Sequence, residues 1–309
     1  MVASTPTASG LTSRLVNGVL SIKPLADFAK QKARNMMINR AESIGVPWRA
    51  QANLLRSRGD AVWEQERQAL EDPELQYPDY YLTSFHAYET GNMSWEAATE
   101  VEVAAYAVHA QIWGKPGDNT GDARLRQSYH DVLLQHLPNC PTRIVDLGCG
   151  AGMSTFALQK TFPKAELTGV DLSPYFLSVA QYQGQQKQYV TTWKHAAAEQ
   201  SGLADASYDL VSTCLMLHEL PQSATLAVLK EARRLVRPGG FLSIMDMNPR
   251  SEIFLKMPPY ILTLLKSTEP YLDDYFLLDL EAAIVQMGFQ QPLVSFNSPR
   301  HRTLLAQAT

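Results

Sequence analysis

Gly148, Gly150 and Gly152 alternate with small residues directly after the short apolar run 143–147, and Asp171 closes the next apolar run, 167–170. Glycine lets a chain turn tightly and bring bare backbone N–H groups against a ligand. A carboxylate at the end of the second strand can accept both hydroxyls of a ribose. Residues 154–158 then open a helical pattern, so the order is strand, glycine turn, helix, strand, acid. This is a turn shaped for an adenosine-bearing cofactor. The spacing excludes a dinucleotide fingerprint, because G-x-G-x-x-G needs glycine at 153 and the chain has Met153.

The segments that must position this turn follow in sequence. A third strand is expected near 189–193, then the stretch Ala196-Ala197-Ala198-Glu199, then a fourth strand over 207–212. Residues 226–237 read as an amphipathic helix stopped by Pro238-Gly239-Gly240, and 241–246 as strand five. The pattern D-x-G-x-G-x-G, with Leu235-Val236-Arg237-Pro238-Gly239-Gly240 ahead of a strand, resembles class I S-adenosylmethionine (SAM)-dependent methyltransferases of the ubiquinone/menaquinone-biosynthesis type. The resemblance covers roughly residues 122–309.

It implies an α/β fold: a Rossmann-like, seven-stranded, mostly parallel sheet with helices on both faces and an antiparallel seventh strand. It also implies SAM as cofactor, S-adenosylhomocysteine (SAH) as product, and a cofactor site made by Asp146, Gly148, Cys149, Gly150, Asp171, Leu172, Ala198, Glu199 and Met216. Asp146 is expected behind the glycine loop, orienting it. Many relatives carry an aspartate where this chain has Ala197, so Glu199 either stands near the adenine or faces solvent. His218 falls near the sulfonium by analogy, as a structural or a catalytic histidine.

The first 121 residues exceed what this fold needs and read as a helical extension or lid on a SAM-binding domain over 122–309. Leu11, Leu15, Val19 and Ile22 recur at helical spacing, and six cations between Arg14 and Arg40 outnumber Asp27. Such a basic amphipathic segment either makes peripheral contact with an anionic membrane surface or packs its apolar stripe on the catalytic domain. Residues 77–88 are dense in phenols. Tyr80, Tyr81, His86 and Tyr88, with Tyr271 farther along, are candidate acceptor contacts. Ser94 can cap a helix from Trp95, in which Ala98, Val101, Ala105 and Val108 form a stripe small enough for close packing on another element. A second insertion at about 249–275 commonly roofs the acceptor site in the resembled family.

Composition narrows the function classes. The chain has 309 residues, 45% of them hydrophobic, which suits a globular enzyme, and its net charge of −4 argues against general nucleic-acid binding. Three cysteines lack metal-like spacing, so no metal is expected. No apolar run approaches the ~18–20 residues of a membrane span. These features suit the cytoplasm, or a plastid stroma if the Ser/Thr-rich start is a transit peptide; nothing in the pattern sets an oligomeric state.

Methyl transfer from a sulfonium needs alignment more than an acid or base. A base at His86, His218 or Asp246 could nonetheless activate a phenol or carbon acceptor. The expected function is methylation of a small molecule, aromatic, quinol-like or lipidic, at carbon or oxygen. A methyltransferase of a polar metabolite and a catalytically silent SAM-binding regulatory or scaffold protein remain the alternatives.

Overall fold

The computed structural model describes residues 23–83 and 88–309. The expected helix over 11–22 and the candidate His86 lie outside the described residues.

A seven-stranded sheet carries the fold, built from β1 (Arg143–Leu147), β2 (Glu166–Asp171), β3 (Thr191–His195), β4 (Tyr208–Cys214), β5 (Val236–Met247), β6 (Leu293–Ser295) and β7 (His301–Gln307), in the order 3-2-1-4-5-7-6. The first five strands pair in parallel, and β7 runs antiparallel between β5 and β6. Successive residues of a strand face opposite sides. Ile144 therefore enters one core with Leu125, Tyr129 and Leu133, while Val145 and Leu147 enter the other with Val228, Leu229 and Ile284. Both faces are covered, which is why β1 and β4 are buried along nearly their whole length.

Twelve α-helices of the described residues surround the sheet. Ahead of it come α1 (Lys23–Ser43), α2 (Trp48–Arg56), α3 (Asp60–Leu70), α4 (Trp95–His109) and α5 (Gly121–His136). Within it come α6 (Met153–Thr161), α7 (Pro174–Gln186) and α8 (Gln222–Leu235), and after β5 the insertion holds α9 (Glu252–Leu255), α10 (Pro259–Thr268), α11 (Leu272–Leu277) and α12 (Leu280–Gln286). Ser94 caps α4 by accepting from Ala97 N, as its position predicts. None of the described helices is long and apolar enough to cross a membrane.

The extension is tied to the sheet through α3 and α4, which pack on α7. Trp63 meets Trp95 at 5.3 Å and Tyr182 at 5.6 Å between ring centroids, and the Arg58 guanidinium lies 3.8 Å over the Tyr182 ring. In α1, Ile38 and Ala41 are buried with Val103 and Ala107 of α4, so the C-terminal part of the helix packs on the extension itself.

Two boundaries differ from the sequence expectation. Strand β3 starts two residues later than expected. Strand β5 begins at Val236 and includes Pro238-Gly239-Gly240, so α8 stops at Leu235 and the Pro-Gly-Gly forms an irregularity in the strand rather than a separate helix stop. The β4–β5 register shifts between Tyr208 and Leu210 at this point, and Gly239 takes φ +74°.

Candidate functional site

The strand order reverses at β1, which lies between β2 and β4. In open parallel sheets the crevice beyond the strand ends at such a reversal is where ligands bind. A cavity of about 520 Å³ sits there. Its floor is the glycine loop. Gly148 (φ +69°) and Gly150 (φ +53°) adopt left-handed backbone, and a Cβ on Gly148 would stand 2.1 Å from the Met216 Sδ. Any larger residue there would push Met216 into the cavity. Cys149 is buried, with burial raising its thiol pKa well above the ordinary value, and fills space beneath Gly169.

Asp171 ends β2 at the cavity wall. Its Oδ2 accepts Gly150 N at 2.7 Å and its Oδ1 accepts Ser173 N at 2.8 Å. A carboxylate offers about four lone-pair sites, so acceptor capacity remains for ligand hydroxyls. Burial raises its pKa to about 6, against the lowering effect of those N–H groups and of Tyr81. Asp146 is fully buried behind the loop and does not line the cavity. Its Oδ2 accepts Ser154 Oγ at 2.8 Å and Thr155 Oγ1 at 2.7 Å, which fixes the start of α6 to the end of β1. Leu172, Ala198, Glu199 and Met216 line the same cavity. Glu199 is bound at one oxygen, accepting the Tyr80 hydroxyl at 2.6 Å, while its buried Oε2 has no hydrogen-bond partner among the described residues. Buried polar atoms are nearly always satisfied, so an adenine amino group suits this one. The glycine cradle, the spare capacity of Asp171 and the orphaned Glu199 oxygen together fit an adenosine-bearing cofactor.

After β4 the chain makes a sharp turn. Leu215, a branched residue, is held at φ +57°, a conformation costing of order 1–3 kcal/mol that persists only where surroundings impose it. The turn delivers Met216 over Gly148 and His218 to the cavity wall. Asp246, at the end of β5, receives the His218 Nδ1 at 2.6 Å and the Leu217 backbone N at 2.9 Å. Burial opposes a charge on His218, but the attraction and hydrogen bond of Asp246 outweigh it and lift the ring to about 10. The pair favours the protonated ring, whose Nε2 can then donate toward the cavity; the sequence reading leaves His218 as a structural or a catalytic histidine. Asp246, also a candidate base, is fully buried behind it and does not line the cavity; it reaches the cavity only through its bond to His218.

The roof comes from the extension and the insertion. Tyr80, Tyr81 and Tyr88 line the cavity; Tyr271 does not, and touches it only through the Tyr80 ring, edge-on at 6.3 Å. The small-residue stripe of α4 does both things: Ala98 and Val101 pack with Phe176 and Val179 of α7, while Val101, Ala105 and Val108 also line the cavity. Phe254, Leu265 and Thr268 add apolar cover from the insertion. Long-range side-chain bonds hold this roof. Glu100, buried within α4, accepts Arg34 at 2.6 Å, Arg56 at 2.8 Å and the Tyr88 hydroxyl at 3.0 Å. His195 takes Asp72 N at Nδ1 (2.9 Å) and meets the Tyr77 hydroxyl at Nε2 (3.1 Å).

Several cavity residues escape sequence reading. Arg126 of α5, His109 of α4, and Arg300 and His301 at the start of β7 all line it. Asp122 accepts both His109 Nδ1 (2.7 Å) and Arg126 Nε (2.9 Å). No local pattern marks these positions: His109 and Arg126 meet through Asp122 where α4 packs on α5, and Arg300 and His301 join them only when β7 docks beside β5.

Residues 144–240 match the model of a methyltransferase domain. The chain is 29% identical over 134 residues to an uncharacterized methyltransferase of Synechocystis sp., covering 43% of this chain and 60% of that protein. It is 29% identical to the ubiquinone biosynthesis O-methyltransferase of Alkalilimnicola ehrlichii (53% and 67% covered) and 33% identical to the malonyl-[acyl-carrier protein] O-methyltransferase of Dechloromonas aromatica (44% and 55%). It thus spans between 55% and 67% of these relatives' lengths. Among solved structures it shares its fold with a Haemonchus contortus phosphoethanolamine N-methyltransferase 2 (TM-score 0.53, 15% identity, 69% and 58% covered). The CurJ carbon methyltransferase is similarly related (TM-score 0.52, 16% identity, 84% and 70% covered).

Proposed function

The chain carries a class I, SAM-dependent methyltransferase domain, and we propose that the whole protein methylates a small acceptor with an aromatic, quinol-like or lipidic body at oxygen or carbon. The observation that carries this reading is the continuity of the cavity. It runs from the glycine loop and Asp171, past His218, to an apolar roof of Val101, Ala105, Phe254 and Leu265. A silent cofactor-binding protein has no use for a roofed apolar space beyond the cofactor's cradle, and a polar metabolite would be poorly matched by that roof.

Gly148, Gly150, Asp171, Leu172, Ala198, Glu199 and Met216 would hold SAM, which when bound supplies a methyl carbon already activated for displacement. Asp146 acts at one remove by fixing the loop. The roof excludes water and presses the acceptor toward the floor; alignment of this kind can supply roughly 7–11 kcal/mol in favourable cases. His218, charged and aimed by Asp246, donates from Nε2 to an acceptor oxygen and favours its ionised, nucleophilic form. Tyr80, Tyr81 and Tyr88 line the acceptor's path. In this reading residues 1–121 act as lid to the 122–309 domain, and the 249–275 insertion completes it.

The test is transfer of isotope-labelled methyl from SAM to a panel of catechols, quinols, hydroxylated fatty acids and polar amino-alcohols. Labelling of apolar phenols or lipids above the polar group supports the proposal. Labelling of polar acceptors alone overturns the acceptor class, and SAH binding without labelling of any acceptor favours the silent alternative.

A further inference from the structure

Arg300 is an arginine at the cavity wall with no carboxylate in ion-pair contact among the described residues. Its nearest polar contact from the side chain is the Val108 carbonyl, 3.5 Å from Nη2. The other two arginines of the cavity are neutralised, Arg34 by Glu96 and Glu100 and Arg126 by Asp122. Burial and the neighbouring Arg40 both disfavour the Arg300 charge. Next to it, the His301 Nδ1 is bound to Ser298 Oγ at 2.8 Å, and the ring stands 5.9 Å from that of His109. Burial first, then His109, Arg300 and His218, hold His301 well below its usual pKa, with Asp122 the one opposing anion. The cavity's own acids Glu219 and Glu269 act on His218 instead.

Arg300 is half-buried and has no carboxylate in ion-pair contact among the described residues, so its fork is free to take an anion, and an arginine fork matches carboxylate and phosphate oxygens. We propose that the end of the cavity walled by Arg300, His301 and Val108 binds a terminal oxyanion, carboxylate or phosphate, on an otherwise apolar acceptor. This rests on the methyl-transfer reading and narrows its acceptor class: the apolar body lies under α4 and the insertion, and the anionic head points away from Asp171 and Glu199.

The experiment is calorimetry on the full chain saturated with SAH, using decanoate, decyl phosphate, decanol and decylamine as probes, with Arg300→Gln and Arg300→Lys alongside. Decanoate or decyl phosphate should bind about tenfold or more tighter than decanol, as the loss of one charged hydrogen bond implies. Whichever of the two binds tighter names the head group. Arg300→Gln should abolish the preference and Arg300→Lys should keep part of it, a readout that a folding defect would not split. Equal affinity for decanoate and decanol overturns the proposal. So does an Arg300→Gln variant that loses SAH affinity while keeping the decanoate preference, because the cation would then serve the cofactor. Failure of SAH to bind at the outset strikes the methyl-transfer reading on which the proposal rests, a result distinct from equal affinity for decanoate and decanol in SAH-saturated protein.

Discussion

The floor and the roof of the cavity are built by different means. The floor is backbone: three glycines in left-handed conformations, N–H groups turned onto Asp171, and a loop fixed by Asp146 through Ser154 and Thr155. The roof is side chain: Glu100 gathering Arg34, Arg56 and Tyr88, and Tyr80 reaching Glu199 across 119 positions. A backbone cradle recognises what every member of such a fold shares, and side chains set what differs. The difference teaches where identity would reside: in the proposed reading the cofactor is read from the floor and the acceptor from the roof.

Substitutions should separate the two. The largest effect is expected at their junction. His218→Gln should lower kcat by roughly 10²-fold or more, the low end of what positioned proton donors contribute, with SAH affinity unchanged. Because Asp246 raises the ring to about 10, activity that needs the charged ring should persist at neutral pH and fall as pH rises through that value. The same raised pKa stabilises the fold fully below about 6.5, and that contribution is lost as pH rises through about 10.

Glu100→Ala should strike the roof alone. It strips Arg34 and Arg56 of their buried partner, which costs roughly 3 kcal/mol, the low end for a broken buried pair because Arg56 is partly exposed to solvent. Hydrogen exchange should show α1, α2 and α4 opening while β1, β2 and β4 stay protected. Equal loss across the sheet would erase the distinction between floor and roof.

Asp171→Asn should strike the floor, weakening SAH binding by roughly 1.5–3 kcal/mol. In the unmutated protein, SAH affinity should also weaken as pH falls below about 6, where the raised carboxyl takes up a proton. That dependence should vanish in the variant; its persistence would move the titration to Asp146, which burial also raises to about 6. Smallest of all, Tyr80→Phe removes one hydrogen bond to Glu199 and should cost about 1 kcal/mol, read in acceptor KM more than in SAH affinity.

The same contrast explains what the sequence made legible. The glycine loop and Asp171 could be read because each depends on residues near one another in the chain, whereas the seven-stranded sheet with its antiparallel seventh strand comes only from the resemblance those residues carry. The Pro238-Gly239-Gly240 stop was misplaced by a few residues because pairing to β4 drew the segment into β5, a tertiary effect. Glu100 reads as one more surface acid on an amphipathic helix, and its burial depends on arginines 44 and 66 positions away. The α4 stripe was legible as apolar and small, but the pattern is the same whether such a face packs on a helix or lines a cavity. Arg300 and His301 carry no local signature, since their place in the site is made by strand β7 pairing antiparallel with β5.

The most direct measurement is SAH titration by calorimetry of the wild type, Asp171→Asn and Glu100→Ala side by side. We expect micromolar binding by the wild type, weakened roughly 10- to 100-fold by Asp171→Asn and left nearly intact by Glu100→Ala. A folded wild type that does not bind SAH, or an Asp171→Asn variant that binds it as well as the wild type, would contradict the assignment of the glycine floor to the cofactor.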